Sequence, residues 1–182
     1  EIRLSLVGSE MCIRDRILEL AKIMKKNPPP IGVSLVLFDA EDYGTSADSW
    51  SYAKGSQFFA QNIPINYPMY AINLDMIADR EPEFYIERYS YQQNPTLVLE
   101  LWELAESLNL DTFKKQAKYT IFDDHVPLYQ MAGIPAIDII DFDFPNEKTN
   151  YHHTHQDIVQ NCSPKGLGEV GTLMLNHIYN IK

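Results

Sequence analysis

Three carboxylates stand within four residues at Asp39, Glu41 and Asp42, inside the stretch VSLVLFDAEDYG at 33–44. Further on come Asp75 in NLDMIAD, then Asp123, Asp124 and His125 in DDHVPLYQ, then His152, His153 and His155 in YHHTHQD. Acids this close repel one another, so they need a cation, a proton or full solvation. Zinc takes His nitrogen and Asp or Glu oxygen, and a catalytic zinc site keeps one position for water or substrate. A carboxylate beside the metal, not bound to it, can then carry protons. The adjacent pair Glu41 and Asp42 suits that division, one side chain toward a metal and its neighbour toward a substrate. Each residue taken singly has a plainer reading. The acids make a solvated turn or helix caps at Asp75, Asp123 and Asp124. His125 makes a core histidine, and the three later histidines an incidental loop cluster. Chemistry is favoured because separate segments place these residues at or just beyond the ends of predicted core strands. That is where open α/β sheets bind ligands.

The elements that must position them can be read from period and punctuation. Val33 to Phe38 is an apolar run of strand formers after Gly32, which predicts a strand buried in a sheet. Before it, Ile17, Leu20, Ala21 and Met24 form one apolar stripe, predicting a helix over 17–26 that Pro28, Pro29 and Pro30 stop. A helix is expected over about 56–62, and Met69 to Leu74 predicts a second strand that delivers Asp75 at its end. Phe84 to Glu87 is a short third strand. Pro95 opens a helix to about 108 with Leu97, Leu101, Leu104, Ala105 and Leu108 inward. A short helix over 126–131 closes at Gly133, and Ile134 to Ile140 forms a core strand with Asp138 inside it. Ser163 and Pro164 are the N-cap and first residue of a last helix, with Leu167, Val170, Leu173, Met174 and Ile178 on its packed face. Strands alternating with helices predict an α/β fold.

Composition narrows the partners. A net charge of −10 over 182 residues argues against nucleic acid or an anionic membrane surface as the main partner. No apolar run approaches the ~20 residues of a membrane span. With Cys12 and Cys162 the only cysteines, there is no disulfide framework and no cysteine-built zinc site. Residues 1–16, EIRLSLVGSEMCIRDR, differ from the rest. They resemble a translated sequencing adapter and lack the pattern of a secretory signal. The expected organisation is a non-native segment at 1–16 followed by one catalytic domain at 17–182.

LFDAEDYG, NLDMIAD, DDHVPLYQMAGIPAIDIIDFDFP and YHHTHQD, in that order, resemble the zinc aminopeptidase and glutaminyl cyclase superfamily over about residues 17–180. The resemblance implies a three-layer α/β fold, a mixed and mostly parallel sheet flanked by helices, with zinc at the strand ends. It implies Glu41 as general acid/base and Asp42 as a zinc ligand, where the family more often has Glu. Asp75 is then a ligand to a second zinc in an aminopeptidase, or part of a proton-sharing carboxylate network in a cyclase. His153, followed by Thr154, is implied as the last zinc ligand, while His152 and His155 only flank it. Asp123 joins the catalytic network, and Asp124 and His125 support the site from behind. The DDH stretch is closer to the cyclase branch. The leading expectation is therefore a glutaminyl-peptide cyclotransferase with one zinc. The alternatives are a two-zinc aminopeptidase and an inactive domain that keeps the fold. Substrates would be peptide or protein N-termini, and family analogy implies export. The family's His-x-Asp and Gly-Ala-x-Asp-x-x-Ser-Gly segments have no counterpart ahead of ILELA at Ile17, so the first sheet strands and one zinc-ligating Asp are expected to be missing. The chain as it stands is then expected to be inactive.

Overall fold

The computed structural model describes residues 9–64, 66–146, 148–151 and 154–181. Helix α1 spans Ser9–Lys26, eight residues more than the stripe from Ile17 predicts. Ile13 is only 7% exposed and sits in the main core with Leu20, so the turns before residue 17 belong to the packed helix. The helix lies against α6 (Pro164–Asn180), whose N-cap Ser163 accepts from the Lys165 N–H as its sequence predicts.

The largest departure is at Val33 to Phe38. It forms no strand; the chain there enters no ladder with any described residue. Leu35 and Leu37 are 42% and 58% exposed. β-branched and apolar residues favour extension, but a strand exists only where a neighbouring edge accepts its hydrogen bonds. The segment instead runs along one wall of a groove.

Beyond it come α2 (Lys54–Asn62) and β1 (Ala71–Asp75). Then follow β2 (Phe84–Ile86), α3 (Arg88–Gln93), α4 (Pro95–Ser107) and β3 (Phe113–Ala117). Next are α5 (His125–Ala132), β4 (Ala136–Ile140) and the two-residue strands β5 (Pro145–Asn146) and β6 (Thr149–Asn150). The fold is α/β with parallel strands flanked by helices. Among the described residues, however, the strands form separate ladders rather than one mixed sheet. β1 pairs with β4 and β2 with β3, both parallel, while β5 and β6 make an antiparallel hairpin. All five β4 residues are buried, whereas β1 is half-buried throughout because its second edge faces the groove. α3 and β3 have no counterpart in the predicted elements. α3 begins because Glu87 caps it, accepting from the Tyr89 and Ser90 N–H groups. Lys114, Lys115 and Gln116 hide β3 from an apolar-pattern reading.

The core joins α1, α4 and α6 to the sheets. α4 buries Leu97, Val98, Leu101, Trp102 and Ala105. The Trp102 ring meets Phe113 edge-on at 5.5 Å, and its indole N–H donates to the Lys114 carbonyl, which satisfies its one polar atom. This core fixes β2 and β3 and, through α3, the back of β4.

Candidate metal and acid–base centre

The acidic turn is held by backbone, not by charge. The carbonyls of Asp39, Ala40 and Glu41 accept from the N–H groups of Gly55, Lys54 and Ala53 at 3.1, 3.2 and 2.8 Å. Those donors open α2, whose first amides have no partner inside the helix. Ala40 and Ala53 both take the left-handed conformation, with φ of 51° and 53°, so the turn can fold back on the helix start. Gly55 is required by proximity: a Cβ there would lie 2.5 Å from the Asp39 carbonyl oxygen. Gly55→Ala should destabilise the fold by about 1–3 kcal/mol through overpacking, more than the helix propensity it gains. A lower urea midpoint, with the acidic turn displaced, is the expected measurement; an unchanged midpoint would mean the turn yields freely.

Asp75 closes β1, and Met76 turns the chain away with φ of 49°. Asp123 and Asp124 precede α5. Asp124 occupies the N-cap position yet makes no side-chain cap bond, so capping does not explain it. Glu41, Asp42, Asp75, Asp123 and Asp124 all line one groove of about 1740 Å³, bounded by the 33–38 segment and by β1. Trp50, 38% exposed, meets Phe122 edge-on at 5.1 Å beside Asp123.

The electrostatics express this crowding. Burial, then the charges of Asp123, Asp75 and Asp42 and a bond to Asp42, push the Glu41 carboxyl up to about 11. Asp75 is partly exposed yet lies deep among its neighbours, and burial followed by the Asp123 charge drives it well above the usual carboxylate range. Asp124 rises to about 7 through burial and Asp123, although a bond from Ser56 opposes this. Asp123 is also raised, chiefly by burial, against the lowering influence of His125 and of hydrogen bonds from Asp124 N–H and Asp138. Such a group of acids ionises together only around a cation. Asp42 and Asp75 both line the groove wall, and carboxylate oxygen is a donor that zinc accepts.

The histidines divide. His153, the expected last ligand, and His152 lie outside the described residues. His155 is exposed on a turn. His125 is fully buried behind the groove. Donor atoms of Asp123, His125 and Asp138 lie within 4.8 Å of one another, close enough for a metal. All three are buried, so a cation there has no open position for substrate, and His125 Nε2 already bonds Glu87 at 3.2 Å. The trio therefore reads as hydrogen-bonded support for Asp123.

Asn73, Glu87, Ser90 and Asp138 carry that support and are not among the predicted site residues. Asn73 donates to Asp123 Oδ2 at 2.6 Å and to Asp138 Oδ1 at 3.1 Å. The signal for two of them is present in sequence. Asn73 shares a strand face with Asp75, and Asp138 is a lone acid in an apolar run. Their meeting depends on the register that sets Asn73 opposite Asp138.

Comparison with known proteins places this geometry. The profile of peptidase family M28 matches residues 16–178. The chain is 25% identical over 171 residues to aminopeptidase YwaD of Bacillus subtilis (strain 168), covering 90% of this chain and 35% of that protein. Its structure is similar to Bacteroides thetaiotaomicron glutaminyl cyclase bound to N-acetylhistamine, with a TM-score of 0.86 and 30% identity, over 92% of this chain and 60% of that one. It is also similar to a Zn-dependent exopeptidase from Parabacteroides distasonis, with a TM-score of 0.84 and 32% identity, over 91% of this chain and 60% of that one. Tannerella forsythia glutaminyl cyclase gives 0.85 and 34%, over 92% and 61%. The chain thus spans about a third of the curated relative and about three fifths of the solved ones.

Proposed function

The chain belongs to peptidase family M28, and from that premise we propose that it carries the acid–base half of a zinc-dependent glutaminyl-peptide cyclotransferase. Such an enzyme closes the N-terminal glutamine of a peptide or protein to pyroglutamate and releases ammonia. The observation that supports this reading is the meeting of Glu41 with Asp75 and Asp123 in one groove. The Asp123 charge raises the proton affinity of Asp75, in keeping with carboxylates that share protons.

Asp42 and His153 are the residues that would hold the one zinc of this reading, with Asp75 left to the carboxylate network. Bound zinc supplies polarisation of the substrate's side-chain amide carbonyl. Glu41 accepts a proton from the α-amine as its nitrogen bonds to the amide carbon, then returns one to the departing nitrogen, so that ammonia leaves neutral. Asp123 and Asp75 take up and return the shared proton between those steps. Trp50 and Phe122 provide an apolar rim beside Asp123. Because amine and amide belong to one substrate, positioning replaces a bimolecular encounter.

A second reading is a zinc aminopeptidase, favoured by the match to an aminopeptidase and by Asp75 as ligand to a second zinc. There Glu41 would serve as base for water attacking a peptide carbonyl. Export accompanies either reading by analogy, and no described helix is long and apolar enough to cross a membrane.

The discriminating experiment measures zinc stoichiometry together with ammonia release from glutaminyl peptides and hydrolysis of aminoacyl anilides. One zinc with ammonia release is expected. Two zincs with anilide hydrolysis would establish the peptidase. A folded protein with neither activity would establish an inactive domain.

A further inference from the structure

Residues 43–52, YGTSADSWSY, carry the chain from the acidic turn to α2 and hold Trp50, a large ring 38% exposed among small polar residues. Such residues favour turns, and the loop folds on itself. A single 3₁₀ turn spans Ser49–Ser51, where Asp48 Oδ1 accepts from the Trp50 N–H at 3.0 Å. Ser51 Oγ accepts from the Thr45 N–H at 2.7 Å. The Tyr52 ring lies over Gly44, where a Cβ would come within 2.3 Å of it. These contacts are internal to the loop.

Two side chains of α2 tie the loop down. Gln57 Nε2 donates to the Trp50 carbonyl at 2.9 Å and to the Tyr52 carbonyl at 2.7 Å. Lys54 Nζ donates to the Trp50 carbonyl at 2.6 Å. Both Gln57 partners are carbonyl oxygens, which only accept, so the NH₂ end of the amide must face them and both of its hydrogens are used. Gln57 is half-buried and bridges two carbonyls, whereas Lys54 is exposed and reaches one. A planar amide held at two points fixes the angle of the loop, which an ammonium on a flexible stem does not.

The same turn of α2 serves the acids. The N–H groups of Ala53, Lys54 and Gly55 bond the carbonyls of Glu41, Ala40 and Asp39, and the Ser56 side chain bonds Asp124. The Trp50 ring meets Phe122 edge-on at 5.1 Å, one residue before Asp123. One helical turn therefore sets where the aromatic pair stands relative to the carboxylates.

We propose that Gln57 is a positioning residue for substrate binding: it holds the Trp50 ring against Phe122, and with it the apolar rim beside Asp123, in place relative to the acidic turn. Its role lies in binding rather than in proton transfer. The part in turnover rests on the proposed acid–base reading of the groove; the placement of Trp50 does not.

Two measurements test it. The first is the fluorescence of this chain. Trp50 and Trp102 are its two tryptophans, and Trp102, 1% exposed, is shielded from a neutral quencher. Gln57→Met keeps the length of the side chain and removes its donors. Acrylamide quenching of Trp50 should increase and its emission should shift to longer wavelength. Unchanged quenching and emission would overturn the proposal. Gln57→Glu, which sets acceptors against the two carbonyls, should act in the same sense and decides the matter if the Met variant does not fold. The second is turnover of glutaminyl peptides. In Gln57→Met, KM should rise roughly 5- to 30-fold, the equivalent of one to two neutral hydrogen bonds, with kcat within about twofold of wild type. Trp50→Ala should raise KM as well, and adding Gln57→Met to it should bring no further rise, because the amide then has no ring to hold in place. Full additivity of the two substitutions, or a fall in kcat with KM unchanged, would each overturn the proposal. A wild-type protein with no turnover, whose Gln57→Met variant shows the expected quenching, would refute the acid–base reading and leave the placement of Trp50 standing.

Discussion

Glu41→Gln is expected to lower turnover by about 10²- to 10⁴-fold, the usual contribution of a positioned general base, while zinc content should stay at the wild-type level. The substitution preserves shape and hydrogen-bonding length and removes only the ability to take up a proton. Glu41 faces Asp42, Asp75 and Asp123, whose charges, after burial, push its carboxyl up to about 11. A cation among these acids works in the opposite sense and draws Glu41 down toward the working pH, where a base is most effective. Turnover should therefore rise with pH on its acid limb as Glu41 loses its proton. Full activity of the Gln variant on both glutaminyl peptides and aminoacyl anilides would remove Glu41 from the mechanism.

His153→Ala and Asp42→Ala should each lose the metal and the activity together. Zinc affinity depends on the number of deprotonated ligands gathered in one place, and Asp42 and Asp75 supply only carboxylate oxygens unless a histidine joins them. Zinc measured after dialysis should fall well below one equivalent in either variant, and added zinc should restore activity only in large excess. Asp15→Ala is the control. Asp15 is exposed on α1 and ion-paired with Arg14 at 3.2 Å, so its removal should leave zinc content unchanged. Stoichiometric zinc retained by His153→Ala would place the metal elsewhere, and the Asp123, His125 and Asp138 trio would be the first site to probe.

The helices, the acidic turn and the strand-end acid are local features, and they are legible in sequence for that reason. Pro95 with the apolar stripe of α4, and Ser163 with Pro164 at the head of α6, act over a few residues. Glu41 and Asp42 are neighbours in the chain, and Asp75 lies at the end of an apolar run. Alternation and capping carry such information because they depend on bond geometry and on which face meets water. The family's ordered motifs extended that reading to Asp123 and His153.

Tertiary structure decided what depends on partners distant in sequence. Val33 to Phe38 has the residues of a strand, but a strand requires a paired edge, and no described residue pairs with it. The parallel register of β1 and β4 sets Asn73 against Asp138 and so joins two polar residues that separately look like faults in apolar strands. Glu87 reads in sequence as the end of a short strand. Only the fold brings His125, 38 residues later, onto its carboxylate. Residue types and spacing thus determined which acids were available for chemistry. The burial that raises their proton affinities, and the hydrogen bonds that tie them to their neighbours, come from packing across the chain, where a buried charge must find its partner in space.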